Sequence, residues 1–196
     1  MAGYMEKYMP TVGIHLIWTT YGTWLPGDDR GHWSPLFDLY DRLIERGGKL
    51  NRPDLLTHER ALERMKESPK ILNDDEIATM AETIGTLVNW PDKTLANLDL
   101  PWIYAAAIEP THVHLLLAPV QEAIGIVAGR FKGKTSSDIL ALPHNAGRER
   151  TWTAKYWKVF LFDTLALETV KVYVEDHNRR RGMPASPFPW ICPLDI

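Results

Sequence analysis

The stretch Pro110-Thr111-His112-Val113-His114-Leu115-Leu116-Leu117 places two imidazoles two residues apart inside an otherwise apolar run. Successive strand side chains point to opposite faces, so His112 and His114 share one face while Val113, Leu115 and Leu117 share the other. The apolar set reads as core, which leaves the two rings side by side in a geometry suited to gripping one metal ion. The alternative is a pair of core histidines whose ring nitrogens are satisfied by hydrogen bonds. A third ligand would favour the metal, and the place to look is 168–178, where periodicity is helical. Tyr173 and His177 are four apart there, one turn from each other on a single helix face. An ordinary phenol has a pKa of about 10, and covalent catalysis by tyrosine needs an activating cation or base beside it. Equally, Tyr173 could pack against the core and His177 cap a surface.

Around this stretch the chain reads as alternating elements. A strand is expected over 12–20, followed by turn chemistry at Leu25-Pro26-Gly27-Asp28. An amphipathic helix is expected over 73–90, capped by Asn73 or Asp74, with Ile77, Met80, Ala81, Ile84, Leu87 and Val88 on one stripe, and Pro91 stops it. Strands over 102–108 and 112–118 meet at a turn at Glu109-Pro110, a second helix covers 121–140, a further strand 157–162, and a last helix 165–181. The order β-α-β-β-α-β predicts an α+β chain with a ferredoxin-like antiparallel sheet. The additional C-terminal helix carries the tyrosine. Gly182 provides its stop, and the proline-rich tail beyond cannot continue it. Phe188, Trp190, Trp24 and Trp33 are read as packing aromatics rather than stacking platforms for bases.

Length and composition bound the function independently. At 196 residues, 45% hydrophobic and 24% charged, the sequence predicts one soluble domain over 1–196. The single cysteine excludes an internal disulfide, and with no apolar run of about 20 residues and no leader pattern the expectation is a cytoplasmic protein without membrane contact. The net charge of −3 is unusual for a nucleic-acid binder. However, acids concentrate over 54–99, whereas the C-terminal part holds Arg130, Lys132, Lys134 and the run Arg179-Arg180-Arg181. Phosphate binding needs local positive potential rather than global charge. The segment Arg130-Phe131-Lys132-Gly133-Lys134-Thr135 interleaves cations, an aromatic and a hydroxyl that could track a strand of nucleic acid, or it is a solvated helix face with Phe131 in the core.

The motifs and their order resemble the HUH endonucleases with a single catalytic tyrosine, specifically the REP-associated tyrosine transposases and their insertion-sequence-200-like relatives. Glu109-Pro110-Thr111-His112-Val113-His114-Leu115-Leu116-Leu117 is similar to that family's "MPNHVHLLL" strand, and Tyr173-Val174-Glu175-Asp176-His177 to its helix beginning "YI". The stretch from Trp18 to Gly31 resembles the family's first strand and loop. Residues 38–68 match nothing in the family and are read as a branch-specific insertion. The resemblance implies that His112, His114 and His177 hold a divalent metal, Mg²⁺ or Mn²⁺, and that Tyr173 attacks DNA through a 5′-phosphotyrosine intermediate. It also implies single-stranded DNA with a hairpin as partner and a monomer or homodimer, while the charge pattern makes Arg130, Lys132, Lys134, Thr135 and Arg179 to Arg181 the candidates to contact that DNA. His177-Asn178 departs from the Asn-Pro that many relatives carry at this point. Two other readings stand beside DNA transposition: an inactive hairpin-binding relative, and a nuclease using metal-activated water.

Overall fold

The computed structural model describes residues 10–29, 53–88 and 101–194. The chain is α+β. Four strands, β1 (Gly13–Thr19), β2 (Ile103–Ile108), β3 (His112–Leu117) and β4 (Trp157–Leu161), form one antiparallel sheet in the order β2-β3-β1-β4. β3 therefore lies between β1 and β2, the split arrangement expected of β-α-β-β-α-β. Helix α1 (Leu55–Glu63) precedes α2 (Asp74–Val88), α3 (Ile124–Leu140) follows β3, and α4 (Thr164–Arg180) closes the order. No helix of the described residues is long and apolar enough to cross a membrane.

Alternation along the strands builds two cores. Ile14, Leu16 and Trp18 of β1, with Val113, Leu115 and Leu117 of β3, face α2 and α3, where they meet Ile77, Met80, Ile84, Val127 and Phe131. The opposite face of the sheet presents Ala105, Ala107, Leu116 and Leu161 to Leu167 and Val174 of α4. The small side chains of β2 let α4 approach closely. Trp190 folds back onto the first core and donates its indole N–H to Ala81 O at 2.9 Å, with Phe188 stacked on it, so both tail aromatics pack as expected.

Caps explain the helix ends. Asn73 and Glu76 exchange reciprocal bonds, Asn73 Oδ1 accepting from the Glu76 amide at 3.0 Å and Glu76 Oε2 from the Asn73 amide at 2.9 Å. Asp163 caps α4 by accepting from Ala166 N–H at 2.7 Å. At its far end Gly182 adopts φ +73°, with Gly182 N–H bonded to Arg179 O and Met183 N–H to Asn178 O, the pair of bonds that ends a helix in a left-handed residue.

Of the expected insertion over 38–68, only 53–68 lies in the described residues. There α1 buries no residue, and its start is tied to the first loop by the Asp54 amide bonding Gly27 O at 3.1 Å. Gly27 itself has φ +83°, and a Cβ there would meet Asp54 O at 2.3 Å, so the turn read from Pro26-Gly27 requires glycine. Residues 89–90 of the helix expected over 73–90, and Trp33, lie outside the described residues.

Candidate metal and nucleophile site

The sheet face covered by α4 carries the histidines. In register, His112 pairs with Thr19 and His114 with Ile17, so both rings project from the middle and end of β3 toward α4. His177 comes down from α4 to meet them. One nitrogen from each of His112, His114 and His177 lies within 4.8 Å of the others, and ring centroids are 4.9, 5.5 and 4.5 Å apart for the pairs 112–114, 112–177 and 114–177. Tyr173, one turn earlier on α4, has its ring 4.9 Å from that of His177 and 5.6 Å from that of His114, and is 45% exposed. The four residues separated by up to 65 positions in sequence thus share one site whose tyrosine is open to solvent.

The donor set fits a metal. The Nε2 atoms of His114 and His177 are buried and make no hydrogen bond, although a buried imidazole nitrogen normally finds a partner. Ligation is what such orphaned lone pairs would satisfy. Burial, together with the neighbouring imidazoles, pushes His114 down to about 2, so it is neutral and available as a ligand at any physiological pH. His15, also on this face, stacks on His114 at 5.1 Å and places Nε2 3.0 Å from His114 Nδ1. Burial first, then the His177 charge, pushes His15 down to about 4.

Two members of this environment escaped the sequence reading. Glu109, on the hairpin before β3, binds His177 Nδ1 through Oε1 and lies with Oε2 4.0 Å from His112 Nε2. Its signal was only its place three residues before His112. His15 alternates with Ile17 and Thr19 along β1, which puts it on the same sheet face against His114, and it belongs to the site.

The basic residues divide. Arg179 to Arg181 end the helix that bears Tyr173. Arg180 is exposed, Arg179 is bonded to Asp176 at 2.7 Å and Glu175 at 2.9 Å, and Arg181 donates to Ile108 O at 2.6 Å. α3 instead packs against the opposite sheet face. On it Arg130 pairs with Glu122, Lys134 with Asp138 at 2.6 Å, and Lys132 Nζ donates to the carbonyls of Thr153, Ala154 and Lys155 at 2.7, 3.2 and 2.8 Å. Thr135 departs from expectation. It is fully buried, donates to Phe131 O at 2.7 Å and accepts from Trp152 Nε1 at 3.1 Å, so its hydroxyl serves the core and reaches no DNA backbone in this conformation. His144, without an assignable partner in the sequence, contacts Asn73 Nδ2 at 3.2 Å and Glu76 Oε1 at 3.3 Å.

No protein-family model and no curated protein matches the chain. Among solved structures it is similar to a candidate transposase of Deinococcus radiodurans R1, with 16% identity over 90% of this chain and 97% of that one at a TM-score of 0.38. It is also similar to a REP-associated tyrosine transposase bound to a REP hairpin, with 13% identity over 97% of this chain and 81% of that one at a TM-score of 0.40.

Proposed function

We propose that the chain is a metal-dependent, single-strand-specific DNA endonuclease and strand transferase of the single-tyrosine HUH kind, acting in DNA transposition. The observation that carries this reading is the convergence of three imidazoles, two with orphaned buried Nε2 atoms, beside a solvent-open tyrosine one helix turn from His177. A hydrolytic centre would need no such tyrosine. The resemblance of the His-x-His strand and of the Tyr173 helix to the tyrosine transposases supports the same assignment.

His112, His114 and His177 would hold a divalent ion, Mg²⁺ or Mn²⁺, which when bound supplies Lewis-acid polarisation of the scissile phosphate. The hydroxyl oxygen of Tyr173 forms a bond to phosphorus and the bond from phosphorus to the 3′-oxygen breaks. The tyrosine loses its proton and the departing oxygen gains one, leaving a 5′-phosphotyrosine and a free 3′-hydroxyl. One phosphodiester replaces another, so a second 3′-hydroxyl can reverse the step and join strands without energy input. In this reading Arg180, with Arg179 and Arg181, would contact the DNA backbone from the end of the helix that bears Tyr173. Arg130, Lys132 and Lys134 lie across the sheet, where a hairpin would have to wrap to reach them.

The test is incubation of labelled single-stranded hairpin oligonucleotides with Mn²⁺, Mg²⁺ or chelator, followed by denaturing electrophoresis. A metal-dependent protein–DNA adduct that disappears in Tyr173→Phe, with hairpin affinity nearly unchanged, is expected. An adduct formed by Tyr173→Phe, or cleavage by the wild type without any adduct, refutes the tyrosine mechanism.

A further inference from the structure

Each imidazole of the triad has its Nδ1 edge taken by a different neighbour. Thr111 Oγ1 lies 3.1 Å from His112 Nδ1, His15 Nε2 lies 3.0 Å from His114 Nδ1, and Glu109 Oε1 bonds His177 Nδ1. A neutral imidazole has one N–H, so a ring that ligates through Nε2 must keep its proton on Nδ1 and donate from there. Only one of the three neighbours carries a charge, and it serves the ligand that most needs orienting. His112 and His114 are fixed by the pairing of β3 on both sides, whereas His177 arrives alone from α4. The Glu109 amide donates to His112 O at 2.9 Å, closing the hairpin, so this residue is anchored in the backbone that carries two ligands while its carboxylate holds the third.

We propose that Glu109 is a positioning residue of the metal centre: it accepts the Nδ1–H of His177, fixes that tautomer and aims Nε2 inward. The inference rests on the reading of the triad as a metal centre. A plain ion pair between hairpin and helix would be a weak structural contact, whereas a carboxylate behind a ligating histidine typically changes metal affinity by about 10–100-fold. Glu109 does not join the cluster of ligand atoms within 4.8 Å of one another, which is His112, His114 and His177 alone among the described residues, and this separates an orienting role from direct ligation.

The test is calorimetric titration of the full chain with MnCl₂ alone, without DNA, for the wild type, Glu109→Ala, Glu109→Gln and His177→Ala, with nitrogen-15 NMR of the His177 ring in metal-free wild type and Glu109→Gln. Glu109→Ala should weaken Mn²⁺ binding by about 10–100-fold, and Glu109→Gln, which retains an acceptor oxygen, should recover part of it. The metal-free wild type should show His177 protonated at Nδ1. Wild-type Mn²⁺ affinity in Glu109→Ala, with binding abolished in His177→Ala, overturns the positioning role and leaves the metal centre standing. A His177 ring protonated at Nε2 in the wild type overturns it as well, even where the alanine variant fails to fold. No Mn²⁺ binding by the folded wild type overturns the metal centre and this inference together.

Discussion

Replacing Lys132 by methionine separates a structural cation from a DNA contact. The Lys132 ammonium donates to three consecutive carbonyls, Thr153 O, Ala154 O and Lys155 O, at 2.7 to 3.2 Å. That segment in turn holds β1, since Thr153 N–H bonds Thr19 O at 3.1 Å, and Thr19 is the register partner of His112. Hydrogen bonds from charged groups contribute about 1.5–3 kcal/mol each, but the carbonyls are partly solvated and would regain water. Methionine preserves the packed stem. Desolvation of the ammonium, which methionine removes, offsets part of this, so a net loss of about 1 kcal/mol follows, read as a fall of under about 1 M in the urea midpoint with unchanged m-value. Each phosphate contact contributes about 0.7–0.9 to the salt slope of DNA affinity, so the slope should not change in this variant. Stability equal to wild type together with a slope reduced by nearly one would refute the clamp and restore Lys132 to the DNA surface. Burial pushes Lys132 down to about 8, whereas an unfolded lysine holds its proton to about 10.4. The unfolded chain then binds more protons across that window, so wild-type stability relative to the methionine variant should rise with pH between them.

Further outcomes follow from the same contacts. Asn178 is 2% exposed and donates to Ala106 O and Ala185 O at 2.9 Å, so Asn178→Ala strands one buried and one part-buried carbonyl and should cost about 1.5–3 kcal/mol in chemical unfolding; a loss below about 0.5 kcal/mol would show that water replaces the amide. Because burial depresses His114 to about 2 and His15 to about 4, the unfolded chain takes up protons first as pH falls below about 6.5. Chelator-treated protein should therefore lose stability from there toward pH 4, and a flat urea midpoint over that range would contradict the buried neutral rings. A three-imidazole donor set suits Mn²⁺ better than Mg²⁺, so competition calorimetry should show Mn²⁺ displacing Mg²⁺, and the reverse order would exclude an all-nitrogen first sphere.

Much of this was legible because strand and helix periods carry direct geometric meaning. Alternation in β3 assigned Val113, Leu115 and Leu117 to one core and both histidines to the opposite face, and the four-residue step from Tyr173 to His177 put both on one side of α4. Thr135 was equally legible and misread: it stands four residues after Phe131 and four before Ile139, on the buried stripe of α3, but the flanking cations suggested a phosphate surface. Lys132 and Glu109 were different in kind. Their partners lie 21 to 23 and 68 residues away, on contacts set by tertiary packing, and no local period encodes them.

The two cores explain why the candidate site depends on the whole fold. β3 is the shared wall: its odd-numbered side chains are buried under α2 and α3, and its even-numbered ones are His112, His114 and Leu116, of which Leu116 packs with Leu167 and Val174 of α4. A one-residue slip of β3 would exchange these sets, burying the histidines in the apolar core and exposing three aliphatic side chains. The register that stabilises the sheet is therefore the same register that faces the imidazoles toward α4. The third imidazole and the tyrosine arrive only when α4 docks, and docking rests on Leu167, Val174, the Asn178 bond to Ala106 O and the Glu109–His177 contact. The unfolded chain has no assembled triad, so an ion held by the three imidazoles would add its binding free energy to that of packing α4 on the sheet. Glu109 joins the two by tying the hairpin of β3 to His177.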